Sequence, residues 1–246
     1  MCEFCTTAGR HATLARRNFL QAAGFAAAGL ALAPRAALAK ESSKEPPKPG
    51  NVLSPDAALE RLMKGNARYI DGVTARHDFK HEREPLSAGQ NPFAAVLSCA
   101  DSRIAPELCF DTARGDVFVC RVAGNFANDD IVASLEYAVA VLNTPLIMVL
   151  GHDACGAVDA TIKSVKDGTT LPGHLPSLVA ALKPAVDAVK DKPGDLLVNA
   201  IRSSVALNVD KLKAAAPILK AAVDDKKIRV VGGIYELTSG KVEAIS

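Results

Sequence analysis

A thiol, a carboxylate and a guanidinium are packed into Cys99-Ala100-Asp101-Ser102-Arg103, and an imidazole and a second thiol into Gly151-His152-Asp153-Ala154-Cys155-Gly156. Two thiolates and one imidazole form a soft donor set that suits a tetrahedral zinc ion, and three protein ligands leave the fourth position open to water or substrate. An open position points to catalysis rather than scaffolding. The trio Cys99, His152 and Cys155 needs its two halves brought together, and the residues before each half show how. Phe93-Ala94-Ala95-Val96-Leu97-Ser98 and Leu146-Ile147-Met148-Val149-Leu150 are short apolar runs of the kind that form buried strands. If both lie in one parallel sheet, the trio meets at the C-terminal edge, where open α/β sheets bind ligands. Cys155 then begins a helix, whose N-terminal dipole favours a thiolate.

The rest of the pattern supplies the other elements of such a sheet. Ser54-Pro55 reads as an N-cap with proline at the first helical position, and Leu59, Leu62, Met63 and Ile70 give an apolar stripe through about Tyr69. Pro106 to Phe110 reads as a helical turn, Val117 to Cys120 as a strand, Ala123 to Asn125 as a turn, and Ile131, Leu135, Ala138, Val139 and Leu142 as one face of a helix. A helix is expected from Cys155 to about Lys166, then a loop holding His174. Helices follow over 177–190 and 195–223, interrupted near Pro193-Gly194 and Pro217. Ile228 to Tyr235 is a late strand, turned at Ser239-Gly240 into a hairpin ending at Ile245. Alternating strands and helices predict an α/β fold: a mainly parallel β-sheet flanked by helices on both faces, with a C-terminal hairpin or edge strand.

The chain has 246 residues, 49% of them hydrophobic and 23% charged, enough for one good-sized core. Its formal charge of +2 misleads, because residues 1–39 hold four Arg and one Glu; the remainder carries a net −1, which argues against a nucleic-acid partner. Those first residues read as an address. Arg16-Arg17-Asn18-Phe19-Leu20 precedes an Ala/Gly/Leu-rich run, and Ala37-Leu38-Ala39 offers an A-x-A cleavage site. The arginine pair resembles a twin-arginine export signal, with cleavage after Ala39 and a periplasmic or otherwise exported product. The apolar run, at about fifteen residues, is short for a membrane span, so no stable membrane anchor is expected once the signal is removed. Cys2, Cys5 and His11 lack a second ligand pair and fall within the removable segment. Residues 40–53, charged and proline-rich, read as a flexible linker, and residues 54–246 as the folded zinc domain.

From about Ser54 onward the chain resembles the β-class carbonic anhydrases. The likeness rests on Cys-Ala-Asp-Ser-Arg at 99–103, Gly-His-Asp-Ala-Cys-Gly at 151–156 and Arg-Val-Ala-Gly-Asn at 121–125, with Ser134-Leu135-Glu136-Tyr137 and Gly65-Asn66-Ala67-Arg68-Tyr69 also in pattern. That resemblance implies one zinc ion per subunit on Cys99, His152 and Cys155, and an Asp101–Arg103 dyad in which Arg103 orients the carboxylate. It implies reversible hydration of CO2 to bicarbonate and a proton by a zinc-bound hydroxide. Two thiolates make the zinc a poorer Lewis acid than three imidazoles would. Asp101 offsets this by accepting the water's hydrogen bond, and hydration is expected to rise towards alkaline pH. The resemblance further implies a substrate pocket of Gln90, Phe118, Ala123, Tyr137 and Gly156, shared between subunits of a homodimer or tetramer.

Departures from the family pattern are informative. Asp153 stands where Ser or Thr is common, so a further carboxylate beside the metal is expected to shift the water's acidity. Val96 stands where bicarbonate-regulated members carry Trp, and the chain has no Trp. His77 and His81 read as solvated surface, His174 as a surface histidine rather than a proton shuttle, and Cys109 and Cys120 as buried, unpaired thiols. Two other functions fit the same ligands: hydrolysis of a related small substrate, carbonyl sulfide or carbon disulfide, and a non-catalytic zinc-binding module. The dyad argues against the second, because a structural site has no use for it.

Overall fold

The computed structural model describes residues 51–245, so the expectations for the signal segment, its two cysteines and most of the linker lie outside the described residues. The first helix, α1 (Pro55–Ile70), starts where expected: the Ser54 side chain accepts a hydrogen bond from the Ala57 N–H at 3.2 Å, and Asp56 and Arg68 complement the two ends of the helix dipole. Its inward face differs from the expected stripe. Ala58, Leu62, Gly65 and Asn66 are buried while Ile70 is 43% exposed. Close approach sets that face, since a Cβ at Gly65 would lie 1.9 Å from the Phe110 carbonyl oxygen. Beside it, the Asn66 amide donates to the Cys109 and Gly240 carbonyls at 2.9 and 2.8 Å and accepts from the Val242 N–H at 2.9 Å.

A short helix α2 (Arg83–Leu86) precedes strand β1 (Ala94–Ser98), followed by α3 (Pro106–Cys109), β2 (Val117–Arg121), α4 (Asp129–Ala140) and β3 (Leu146–His152). The second half holds α5 (Gly156–Asp167), α6 (Leu175–Asp187), α7 (Leu196–Ala214), α8 (Ile218–Asp224), β4 (Arg229–Tyr235) and β5 (Val242–Ile245). Asn128 and Asp195 cap α4 and α7 through their side chains, and Gly168 ends α5 in the left-handed conformation at φ 63°.

The sheet order is β2-β1-β3-β4-β5, parallel except for the antiparallel β4–β5 pair. On one face α1 and α3 cover Ala94, Val96, Met148 and Leu150; on the other α4, α7 and α8 cover Ala95, Leu97, Ile147 and Val149. β1 and β3 are buried along their whole length, as a parallel sheet covered on both sides requires. Val205 of α7 fixes how closely that helix rides: a Cβ at Gly151 or Gly232 would come within 2.6 or 2.7 Å of its methyl groups. The chain leaves β1 towards β2 and then crosses back to β3 on the other side of β1. The point where the winding reverses lies between β1 and β3, the position outside the strands' carboxyl ends at which open α/β sheets bind ligands.

Candidate metal centre

Cys99 follows β1, His152 ends β3 and Cys155 is the N-cap of α5, so the reversal point receives both halves of the trio. Their three candidate ligand atoms lie within 4.8 Å of one another and all three residues are buried. The ring orientation of His152 is fixed from outside the cluster: Nδ1 sits 2.7 Å from the Asp153 carbonyl, which can only accept, so the proton is on Nδ1 and Nε2 is left with a free lone pair. Nε2 is buried and has no hydrogen-bond partner. A buried ring nitrogen without a partner, facing two thiols, is what a metal ligand looks like before the metal arrives.

The electrostatics agree. Hydrogen bonding with Cys155 draws the Cys99 thiol well below its ordinary range, in spite of burial, with further help from His152 and the Gly124 N–H at 3.3 Å. Cys155 moves the other way, raised by the same contact with Cys99 and by burial. The pair thus gives up one proton readily and shares the other. Burial opposes a charge on His152, yet the neighbouring Cys99 sulfur, the Asp153 carbonyl and the Asp101 carboxylate outweigh it and raise the imidazole's proton affinity. The pocket draws positive charge in. Gly124, which donates to the Cys99 sulfur, sits at φ 84°, and a Cβ there would meet a Leu182 methyl at 2.7 Å, so glycine is required on both counts.

Asp101 and Arg103 form the expected dyad. The Arg103 backbone N–H and Nε both reach Oδ1 at 2.9 Å, and Nη2 reaches Oδ2 at 2.7 Å. Arg103 holds the carboxyl far below the usual carboxylate range. Oδ2 lies 3.8 Å from His152 Nε2, so the carboxylate borders the ligand cluster while Arg103 occupies its outer side.

The other expected site residues fare differently. Gly156 opens α5 with free space where a side chain would be, and Ala123 is half-buried beside Gly124. Phe118 and Tyr137 face each other with ring centroids 6.3 Å apart at the β2 edge. Gln90 is exposed ahead of β1 and makes no hydrogen bond to the trio or the dyad. Asp153 departs from expectation: its Oδ1 accepts the Leu237 N–H at 2.9 Å, which ties the carboxylate to the β4–β5 connection rather than aiming it at the metal position. His77 also departs, being half-buried with Nε2 3.6 Å from Asp111 Oδ1, whereas His81 pairs with Asp78 at the surface. His174 is exposed just before α6, and Cys109 and Cys120 are free and buried, both thiols pushed up by burial. Arg121, read from the sequence only as the first residue of Arg-Val-Ala-Gly-Asn, comes beside Cys99 through the pairing of β1 with β2, where its Nε donates to the Cys99 carbonyl at 3.0 Å.

Fold and site together define a class: a doubly wound α/β protein with a buried two-thiol, one-imidazole cluster that could hold a metal ion at its winding reversal and an ion pair alongside. A sequence model of the carbonic anhydrase family matches residues 94–242. Carbonic anhydrase 2 of Mycobacterium tuberculosis is 36% identical over 190 residues, covering 76% of this chain and 91% of that protein. The carbonic anhydrase of Mycolicibacterium smegmatis is 36% identical over 195 residues, covering 77% and 93%. Among solved structures, the β-carbonic anhydrase CcaA superposes with a TM-score of 0.59 at 27% identity, covering 76% of this chain and 95% of that one. The chain belongs to the carbonic anhydrase family, in its β class.

Proposed function

We propose that this protein is a zinc enzyme that interconverts CO2 and bicarbonate. The observation that carries the reading is the bare, buried Nε2 of His152 between two thiols, with a carboxylate 3.8 Å away that its arginine keeps ionised. Cys99 Sγ, His152 Nε2 and Cys155 Sγ are the atoms that would hold the ion. Zinc, when bound there, supplies the Lewis acidity that makes a water nucleophilic near neutral pH.

The chain's own residues do the rest. Asp101 accepts a hydrogen bond from the attacking water through Oδ2, which fixes the direction of the remaining lone pair and favours loss of the other proton. Arg103 occupies the other edge of that carboxylate and holds its plane. Gly124 N–H and the α5 N-terminus stabilise negative charge on the two sulfurs. The Gly156 N–H, at the first turn of α5, is a donor for a substrate oxygen.

The assembly is a homo-oligomer. Tyr137 on α4 and Val141, the C-cap of that helix, are 47% and 57% exposed, and Tyr137 faces Phe118 on the edge strand β2, an apolar face suited to a second copy of the chain. The protein is exported by the twin-arginine-type segment 1–39, and among the described residues no helix is long and apolar enough to cross a membrane.

The test is metal analysis with parallel assays of CO2 hydration and carbonyl sulfide hydrolysis, on the chain beginning at Lys40 and on its Asp101→Asn variant. One zinc per chain, with CO2 hydration that collapses in the variant, is expected. Turnover of carbonyl sulfide alone would move the substrate, and a metal-loaded protein with no turnover would make the site structural.

A further inference from the structure

Arg121, the last residue of β2, directs two of its guanidinium nitrogens at one loop. Nε donates to the Cys99 carbonyl at 3.0 Å, and Nη2 to the carbonyls of Asp101 and Ile104 at 2.7 and 2.8 Å. Cys99 carries a metal-ligand atom, Asp101 carries the carboxylate, and Ile104, fully buried, plugs the far end of the loop into the core beneath α1. Backbone pairing cannot hold this stretch. The ladder between β1 and β2 ends with Val122 N–H to Ser98 O and Ala100 N–H to Val122 O, both 3.2 Å; past it, the Ile104 N–H to Asp101 O bond of 3.2 Å closes the loop on itself. Arg121 takes over where the ladder stops.

We infer that Arg121 is a positioning residue for the reaction: it holds the Cys99–Ile104 loop in the shape that points the Cys99 sulfur at His152 and Cys155 and the Asp101 carboxylate at the same spot. The inference rests on the carbonic anhydrase reading of the site. A residue that merely stabilised the β2 edge would bond within β2 or to α4. Instead, all three acceptors of Arg121 belong to the loop that bears the chemistry. The division of labour between two arginines is explicit, since Arg103 grips the Asp101 carboxylate and Arg121 grips its carbonyl. Three carbonyls on three residues need donors that diverge from a rigid plane. A guanidinium provides this, and an ammonium, which donates from one point, does not.

The experiment compares Arg121→Gln and Arg121→Lys with the parent protein, all metal-loaded. It measures kcat and KM for CO2 hydration, bound zinc, thermal unfolding, and the thiolate-to-metal absorption band after cobalt substitution. Both variants are expected to bind one metal, with kcat lowered about 10- to 100-fold, the usual range for groups that orient metal ligands. KM should stay within about threefold, the cobalt band should shift, and Lys should recover only a minor part of the loss. The inference fails if Arg121→Gln, fully loaded, keeps kcat within about threefold of the parent with an unmoved cobalt band. It fails equally if the activity lost only tracks metal or folded protein lost. Should Arg121→Gln not fold, Arg121→Lys decides by the same readings. A parent protein without CO2 hydration would overturn the enzymatic reading, and the cobalt bands would still judge whether Arg121 sets the loop.

Discussion

Two carboxylate–guanidinium pairs sit at opposite ends of β1, and they do different work. At the start of the strand, Asp111 receives Arg68 of α1, the Ala75 N–H at 3.1 and 3.0 Å, and His77 Nε2 at 3.6 Å, so one carboxylate ties the end of α1 and the stretch after it to the connection between α3 and β2, more than 30 residues later. At the other end, Asp101 is bound by Arg103 alone, two residues away, and stands beside a ring nitrogen with no partner. Asp111 has its bonding capacity used up by architecture. The Asp101 pair joins nothing to anything, since an ion pair closed within its own loop contributes roughly 0–1 kcal/mol to the fold. Where an ion pair adds so little to stability and borders an incomplete coordination set, its reason for being there is chemistry.

The comparison breaks if the metal end proves structural. His152→Ala removes the buried nitrogen and should take CO2 hydration below about a thousandth of the parent rate, because the metal that activates water is lost. Metal analysis should show the zinc gone while circular dichroism shows the sheet and helices intact. Asp101→Asn should lower kcat about 100-fold or more, as loss of a positioned proton acceptor does, with zinc retained and the unfolding temperature nearly unmoved. If Asp101→Asn unfolds the protein instead, the two ends are alike and the distinction is wrong.

Asp111→Asn should do the reverse. Its side chain is 3% exposed, and removing the charge leaves Arg68 with a neutral partner in a part-buried setting, a loss of about 2–4 kcal/mol. Activity per zinc-loaded, folded molecule should not change. Burial pushes this carboxyl up, but Arg68, the Ala75 N–H and His77 outweigh it and hold it below its ordinary value. A depressed carboxyl stabilises the fold above its unfolded pKa of about 3.9, and that contribution is lost as pH falls through the folded value. The difference in unfolding free energy between parent and Asp111→Asn should therefore be full from pH 5 to 7 and shrink below about pH 4. Urea melts of both proteins across that range measure it.

Much of this was legible in the sequence because strands announce themselves locally. The runs before Cys99 and before His152 are apolar from end to end, and turn residues bound them, so the places where the cysteine and the histidine emerge followed from spacing alone. β3 carries on two residues past its apolar run, to His152, because Gly151 lets α7 ride close and the ladder with β4 continues to Tyr235. What spacing could not reveal is where a side chain turns once it leaves a strand. Arg121 is 22 positions from Cys99, and its three acceptors exist only after β1 and β2 pair. Ile70 kept the helical period of an apolar stripe yet faces solvent, because Gly65 and Asn66 bring the helix against Phe110 and the hairpin at another angle. His77 reads as surface until Asp111, 34 residues later, is folded beneath it.

Asp153 gives the finest version of the same contrast, because it is next to a metal ligand and yet belongs to the architecture. Proximity in sequence suggests that its charge would raise the pH at which a water on the metal ionises. Its Oδ1 is tied to the Leu237 N–H, and the cavity it lines, about 300 Å³, carries Arg202 and Lys241 together with Glu236 and Glu243, so the carboxylate is held in a mixed-charge wall rather than aimed at the metal ligands. Its backbone carbonyl, not its carboxylate, is what serves the site, by holding His152 Nδ1. Asp153→Ala keeps that carbonyl and removes one hydrogen bond, so it should cost about 1 kcal/mol of stability. The alkaline rise of CO2 hydration should keep its midpoint within about 0.3 pH unit, since a larger move means a coupling above about 0.4 kcal/mol between this carboxylate and the reacting water. A midpoint that drops by about a full unit would mean that the carboxylate acts on the metal end after all, despite where its oxygen points.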